Sequence, residues 1–101
     1  MNIFTIKLKN GEEFIAEIVE QGEDALLVKH PVVLIANGQG GHSFTPWIST
    51  ARSTEFWIDV SDIRFTCETV PELTEAYANM FGNNTNIDSS IVVPNKQIIT
   101  D

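Results

Sequence analysis

The first hairpin of the chain, residues 3–20, contains the pattern that most restricts the fold. It reads IFTIKLK, then Asn10-Gly11, then EEFIAEIVE, an alternation typical of two strands joined by a tight turn. A two-residue loop at Asn10-Gly11 would set Leu8 opposite Glu13, and that register places acidic side chains in the core. We therefore predict a three-residue loop at residues 9–11, with Gly11 left-handed in a bulge.

The odd loop length brings the apolar residues of both strands onto one face. The register pairs Ile6 with Phe14 and Phe4 with Ala16. On the outer face Lys7 lies opposite Glu13, which is a modest cross-strand charge pair. Because side chains alternate along a strand, a slip of one residue would turn all of them to the wrong face. The predicted core of the hairpin consists of Phe4, Ile6, Leu8, Phe14, Ala16 and Ile18.

The middle of the chain predicts further strands. A polar turn at residues 21–24 precedes ALLVKHPVVLIAN, a β-branched stretch with Pro31 in its middle. Proline removes a ladder donor, so we predict that this long strand bends there and takes part in both halves of a small barrel. The glycine-rich residues 37–41 lack the Lys-Ser/Thr pair and the helix of a phosphate-binding loop, and we interpret them as a hairpin connection. HSFTPWIST, EFWIDV and IRFTCE are strand-like.

The chain has a single cysteine, Cys67. In IRFTCE it alternates with the polar residues and shares a face with Ile63 and Phe65, which predicts a small buried hydrophobe. A lone cysteine excludes an internal disulfide and a multi-cysteine metal site. A nucleophilic role needs a neighbouring base or cation, and the sequence implies none.

A helix is predicted after the last strand. Thr69 fits the N-cap of a capping box in which Glu72 reaches back, and Gly82 is a typical stop. An apolar stripe with helical spacing contains Leu73, Ala76, Tyr77, Met80 and Phe81. The chain thus divides into a barrel at residues 1–68, an amphipathic helix packing on it at 69–82, and a tail at 83–101. That tail is either flexible or a strand arm that adds to a neighbouring sheet edge.

Composition narrows the classes of protein that fit. A chain of 101 residues is one domain. Its net charge is −8 and its six basic residues are scattered, which counts against a general nucleic-acid coat protein. The N-terminus does not resemble a signal peptide, and no apolar run approaches the roughly 20 residues needed to span a bilayer. We expect a cytoplasmic protein without a membrane partner.

No residue pattern predicts catalysis, a metal site or a cofactor. His30 and His42 lie far apart, neither with a ligand partner at metal spacing, and the carboxylates form no recognisable acid/base pair. We therefore expect that the protein is not an enzyme. The aromatic residues Trp47, Trp57 and Phe44 either form a base-stacking surface or pack in the core or in a subunit interface. Packing is the favoured interpretation.

The order of strands and turns resembles that of the Sm-like (Sm/LSm) family. LKNGEEFIAEI resembles the first Sm motif, with Leu8, Gly11, Phe14 and Ile18 at the matching places, and IDVSDIRF lies where the second motif is expected. The resemblance covers residues 3–68 and is to members of the type found in phages and cyanophages. It implies a mainly β fold: a small, strongly bent, five-stranded SH3-like or Sm-like barrel followed by a C-terminal α-helix.

The chain departs from the family pattern in both motifs. Ala16 replaces the mid-strand glycine, the base-contacting Asp and Asn have only Asp24 as a counterpart, and Asp59-Val60 replaces an Arg-Gly pair. In the family these loops line the pore. The resemblance therefore implies pore loops that contain Glu23, Asp24, Asp59, Ser61 and Asp62. Such an acidic cluster is expected to repel phosphates.

The resemblance implies a non-catalytic homo-oligomeric ring of about five to seven subunits. It also implies binding of single-stranded RNA or DNA and a role in RNA or DNA processing, in the cytoplasm of the host cell if the protein is viral. Because the pore loops are acidic, the expected nucleic-acid-binding residues are Lys29, His30, Arg52 and Arg64. The alternative is a viral structural or protein-interaction module without nucleic-acid binding, which the acidic net charge favours.

Overall fold

A computed structural model describes residues 2–82 of the chain. The sheet forms one compact unit, Asn2–Thr69, and the helix belongs to a second unit that begins at Val70. The elements in chain order are β1 (Ile3–Leu8), β2 (Glu13–Gln21), β3 (Ala25–Ala36), β4 (His42–Pro46), β5 (Glu55–Asp59), a 3-10 helix (Val60–Asp62), β6 (Ile63–Glu68) and α1 (Pro71–Phe81). The predicted tail at 83–101 lies outside the described residues.

The first hairpin has the predicted register. Ile6 pairs with Phe14, Phe4 with Ala16, and Lys7 with Glu13. The Leu8 amide donates to the Glu12 carbonyl at 2.8 Å, which closes a three-residue loop, and Gly11 has a φ of 99°. The Lys7 ammonium lies 3.6 Å from the Glu13 carboxylate. This exposed pair contributes less to stability than the register that it accompanies.

The long strand β3 bends at its centre, as Pro31 predicts. Its first half, residues 25–29, pairs with β5, and its second half, residues 32–36, pairs with β4. On its other side β3 pairs with β2, with register shifts on either side of Glu17 and Ile18. At the bend His30 has a φ of 51°, a left-handed conformation that is uncommon outside glycine. One strand therefore contributes to two halves of the sheet.

The strands form one antiparallel sheet with the order β4-β3-β2-β1-β6, and β5 also pairs with β3. The 3-10 helix Val60–Asp62 carries the chain directly from β5, beside β3, to β6, beside β1. Since β2 separates β3 from β1, so short a connection requires a strongly bent sheet. The predicted closed five-stranded barrel is wrong, because the sheet has six described strands and does not close. The two strand-like segments HSFTPWIST and EFWIDV supply β4 and β5, as predicted.

The core of the sheet lies on the face that the register of the first hairpin makes apolar. Its buried members are Ile6, Leu8, Phe14, Ala16, Ile18, Val28 and Ile58. Phe4, predicted in the core, is half-buried and packs against this cluster. Ile3, Ile15 and Val32 are also buried, and they occupy positions that alternate with the core residues of their strands. The outward face of the hairpin is therefore less polar than the alternation suggested.

The prediction that Cys67 is buried is wrong. Cys67 is exposed, and Phe65, expected on the same buried face, is 48% exposed. Ile63 alone of the three is half-buried and packs against the core. The cause is the position of β6, which among the described residues pairs only with β1. Because β6 lies at one end of the strand order, neighbouring strands cover its side chains less than the alternation of its sequence implies.

The helix follows β6 as predicted, but its N-cap residue is not the predicted one. Its N-cap is Val70, without a side-chain hydrogen bond, and Pro71 lies in the first turn. Thr69 is not the cap, because its hydroxyl lies 3.0 Å from the Thr5 hydroxyl and is buried there. Gly82 ends the helix as predicted. In the stripe Tyr77 is buried and contacts Phe81, whereas Met80 is 57% exposed.

We predict that Gly11→Val lowers the free energy of unfolding by about 1–2 kcal/mol, because a β-branched residue is strained at positive φ. No atom lies within 4 Å of a Cβ built at Gly11, so any loss reports backbone strain alone. Gly11→Asn should cost clearly less, since asparagine tolerates left-handed backbone. Urea denaturation measures both. Equal losses for the two variants would contradict the bulge assignment.

Candidate functional site

The two acidic loops predicted to line a pore lie side by side. Glu23, Asp24, Asp59, Ser61 and Asp62 are all exposed. The Val60 amide donates to the Asp24 carbonyl at 2.8 Å, and Ala25 pairs with Asp59. The turn between β2 and β3 therefore lies against the end of β5 and the 3-10 helix. Their role at a ring axis remains a prediction.

A cavity of about 380 Å³ opens beside these loops, within the sheet unit. It is lined by Leu8, Lys9, Asn10, Glu12, Trp47, Trp57, Ile58, Asp59 and Asp62. The Lys9 amide donates to the Asp62 carbonyl at 2.8 Å, which holds the tip of the first hairpin against the 3-10 helix. The cavity thus lies where three segments distant in sequence meet.

Trp47 forms a rigid wall of the cavity. Its indole stacks on Phe14 with ring centroids 4.5 Å apart, and Phe56 meets it edge-on at 6.0 Å. Its Nε1–H donates to Glu12 Oε1 at 3.2 Å. Two aromatic contacts and a hydrogen bond at the polar atom leave this ring little freedom. The predicted packing role of Trp47 is confirmed, and the same ring also faces a cavity.

Trp57 supplies a second, more open wall. Its side chain is 55% exposed, and its ring lies 3.7 Å from a Cβ built at Gly22. Leu8 and Ile58 are 6% and 8% exposed and give the cavity an apolar floor. The third aromatic candidate, Phe44, is half-buried on β4 and does not line the cavity.

The charges around the cavity are predominantly negative. Three lining carboxylates, those of Glu12, Asp59 and Asp62, face one ammonium, that of Lys9. Sequence reasoning assigned Asp59 and Asp62 to a pore and did not single out Glu12. No local signal identifies Glu12, because the charge pattern of the hairpin does not show that Trp47 lies beside its loop.

The basic residues predicted to bind nucleic acid are dispersed. On β3, Lys29 is paired across the strands with Glu17 on one side and Glu55 on the other. Paired positions in a sheet place their Cβ atoms roughly 5 Å apart, so carboxylates flank the Lys29 charge. Arg52 is exposed in the loop before β5, and Arg64 is exposed on β6. The strand order separates Arg64 from Lys29 by β1 and β2.

His30 joins the bend of β3 to the loop that carries Arg52. Its amide donates to the Thr54 carbonyl at 2.7 Å. Burial lowers the pKa of the His30 imidazole, the neighbouring Lys29 lowers it further, and Glu55 partly opposes both. His30 is therefore neutral near pH 7. As a phosphate ligand it would act by hydrogen bonding and not by charge.

Comparisons with known proteins add no family assignment. No protein-family model matches the sequence, and no curated protein matches it. Residues 2–82 contain no group of three or more His, Cys, Asp or Glu side chains arranged to hold a metal ion. In the same part of the chain, no helix has the length and apolar character needed to cross a membrane.

We predict that His30 makes stability depend on pH. Its folded-state pKa lies below the ordinary value of 6.5, so the unfolded chain binds the proton more readily. The stabilisation is complete above about pH 6.5 and is lost as the pH falls from there toward the lowered pKa. His30→Asn, which suits the positive φ, should remove this dependence in urea titrations between about pH 7.5 and 5.5. His42→Asn, at an exposed site, is the control and should retain it.

Proposed function

We propose that this protein is a non-catalytic, Sm-like assembly module whose subunits join edge to edge into a closed ring. The observation that carries the proposal is the pairing of the outermost strands. Among the described residues, β4 and β5 pair only with β3, and β6 pairs only with β1. Such edges present unpaired amides and carbonyls and are templates for another strand.

The side chains near these edges support association. Phe65 on β6 is 48% exposed and Trp57 on β5 is 55% exposed. The edge strands are similar in length: β6 has six residues, and β4 and β5 have five each. Addition of β6 from one subunit to the β4/β5 edge of the next uses two different surfaces. Such a heterologous contact generates a ring when the rotation between neighbours closes.

The acidic loops suit a scaffold better than a phosphate-binding pore. In the proposed ring, the loops with Asp24 and Asp59 would line the axis, as the Sm-like resemblance implies. Their contact through Val60 and Asp24 keeps both acidic segments together in each subunit. Repeated around a ring, they would create a strongly negative potential. The ring would therefore act mainly through contacts with proteins.

We predict that Phe65→Lys converts the assembly to monomers, because a charge on an edge strand opposes strand addition. Val19→Lys is the matched control, because Val19 is also 48% exposed but lies on β2, between β1 and β3. Light scattering coupled to size exclusion measures the mass of each variant. The wild type and Val19→Lys should show a ring-sized species. A monomeric wild type, or a Phe65→Lys variant with unchanged mass, would refute the proposal.

Nucleic-acid binding at the bend of β3 is the second candidate function. The bond between the His30 amide and the Thr54 carbonyl joins the bend of β3 to the loop that contains Arg52. In this proposal Lys29 and Arg52 act together on one phosphate backbone near this contact, and His30 adds a hydrogen-bonding imidazole. A ring would repeat this small basic site in every subunit, which compensates for weak binding at each one.

We predict that the intact oligomer shifts single-stranded RNA or DNA at low salt at roughly tens of micromolar protein, in the range of non-specific binding. Arg52→Glu should weaken the shift more than Arg64→Glu, which makes the same charge change on β6, far from Lys29 in the strand order. Mobility-shift titration measures both. Absence of any shift with the oligomer intact would eliminate this second function and leave the assembly proposal standing.

A further inference from the structure

We propose that the cavity between Trp47 and Trp57 binds the guanidinium group of an arginine side chain presented by a partner protein. This inference goes beyond edge-to-edge assembly, because every lining residue belongs to the same chain. It rests on a combination of two indole rings, an apolar floor and three carboxylates around one cavity. Each part matches a different portion of an arginine side chain.

The indole rings suit a planar cation. A cation over an aromatic face is attracted by the negative potential of the ring, and tryptophan is the strongest partner. Trp47 stacks on Phe14, meets Phe56 in a T-shaped arrangement and bonds through its nitrogen to Glu12. The ring is therefore in place before a ligand arrives, which reduces the ordering that binding must cost. Trp57, at 55% exposure, remains accessible from solvent.

The carboxylates supply the complementary charge and hydrogen-bond acceptors. Glu12, Asp59 and Asp62 line the cavity, and within residues 2–82 none of them forms an ion pair. The Trp47 bond uses Glu12 Oε1, so the second oxygen of that carboxylate can accept a hydrogen bond. Guanidinium presents its donors as a fork that matches carboxylate geometry. Anionic ligands such as phosphates are disfavoured by the same charges.

Size and hydrophobicity favour arginine over a small inorganic cation. The cavity volume of about 380 Å³ lies at the lower end of the range for organic ligands. Leu8 and Ile58 form a floor against which the methylene stem of a side chain can pack. Lysine would gain the charge attraction, but its compact, strongly hydrated ammonium stacks less well than a guanidinium.

Lys9 gives the proposal a directional test. Its ammonium is the single cation of the lining and would repel a bound guanidinium. Its removal should strengthen binding, whereas removal of a lining carboxylate should weaken it. A cavity that recognised an anion would show both effects with the opposite sign.

The experiment uses the full chain and its own tryptophans. The chain contains two, and both line the cavity, so their fluorescence reports on the site directly. The ligand is the capped tripeptide acetyl-Gly-Arg-Gly-amide, with the neutral citrulline peptide, the lysine peptide and free arginine as comparisons. We expect saturable quenching by the arginine peptide at roughly millimolar concentration, as for a ligand of few atoms. The lysine peptide should bind several-fold more weakly, and the citrulline peptide should not saturate.

The carboxylate variants are chosen so that charge alone changes. Glu12→Gln keeps an oxygen for the Trp47 indole and should weaken binding about three- to tenfold, as should Asp62→Asn. Glu13→Gln is the matched control, because Glu13 is the adjacent acidic residue and lies outside the cavity lining. Lys9→Ala should strengthen binding by a similar factor. Light scattering on each variant confirms that the oligomeric state is unchanged, so loss of binding is distinguished from loss of assembly.

Four results would overturn the proposal. Equal binding of the citrulline peptide would show that no cation is recognised. Equal loss for Glu12→Gln and Glu13→Gln would reduce the effect to the general acidity of the chain. Equal binding of the lysine peptide would remove the guanidinium assignment. A tenfold preference for free arginine over the capped peptide would indicate a small-molecule site and not a protein partner.

Discussion

The register of the first hairpin is the constraint on which the rest of the sheet depends. A three-residue loop closed by Leu8 and Glu12 places Phe14 in the core and not in solvent. Trp47 can then stack on Phe14 and donate to Glu12 at the same time. A register shifted by one residue would bury carboxylates and remove the surface on which this indole rests. Core packing and the cavity wall thus have one common origin.

The bend of β3 and the short connection after β5 decide which distant segments meet. Because β3 turns at His30 and Pro31, β4 and β5 can both pair along the same side of it. The 3-10 helix then crosses to β6 and bonds to the hairpin tip through Lys9. The positive φ of His30 is an unfavourable backbone conformation, and the strand pairing on both sides holds it in place. Acidic loops and aromatic walls gather at this crossing, where Lys9 is the single basic residue of the cavity lining.

The candidate site was predicted in its components but not in its arrangement. Asp59, Asp62, Trp47 and Trp57 were each recognised from sequence, as acidic loop residues or as aromatic candidates. Their common cavity could not be inferred, because the residues that join them are brought together by the bend and the 3-10 helix. Glu12 was missed for the same reason. The four basic residues were selected by charge alone, and charge carries no information about which strands they share.

Alternation and turn chemistry determined much of the fold from the sequence alone. The odd hairpin loop, the bend at Pro31, the strand-like segments and the helix with its stop at Gly82 all follow from residues that interact within a few positions. Tertiary structure decided the rest. It left Phe65 and Cys67 exposed, redirected Thr69 from a helix cap to a bond with Thr5, and left the sheet open. The burial of a side chain depends on how many strands lie beside the strand that carries it. The local periodicity of the sequence does not reveal how many there are.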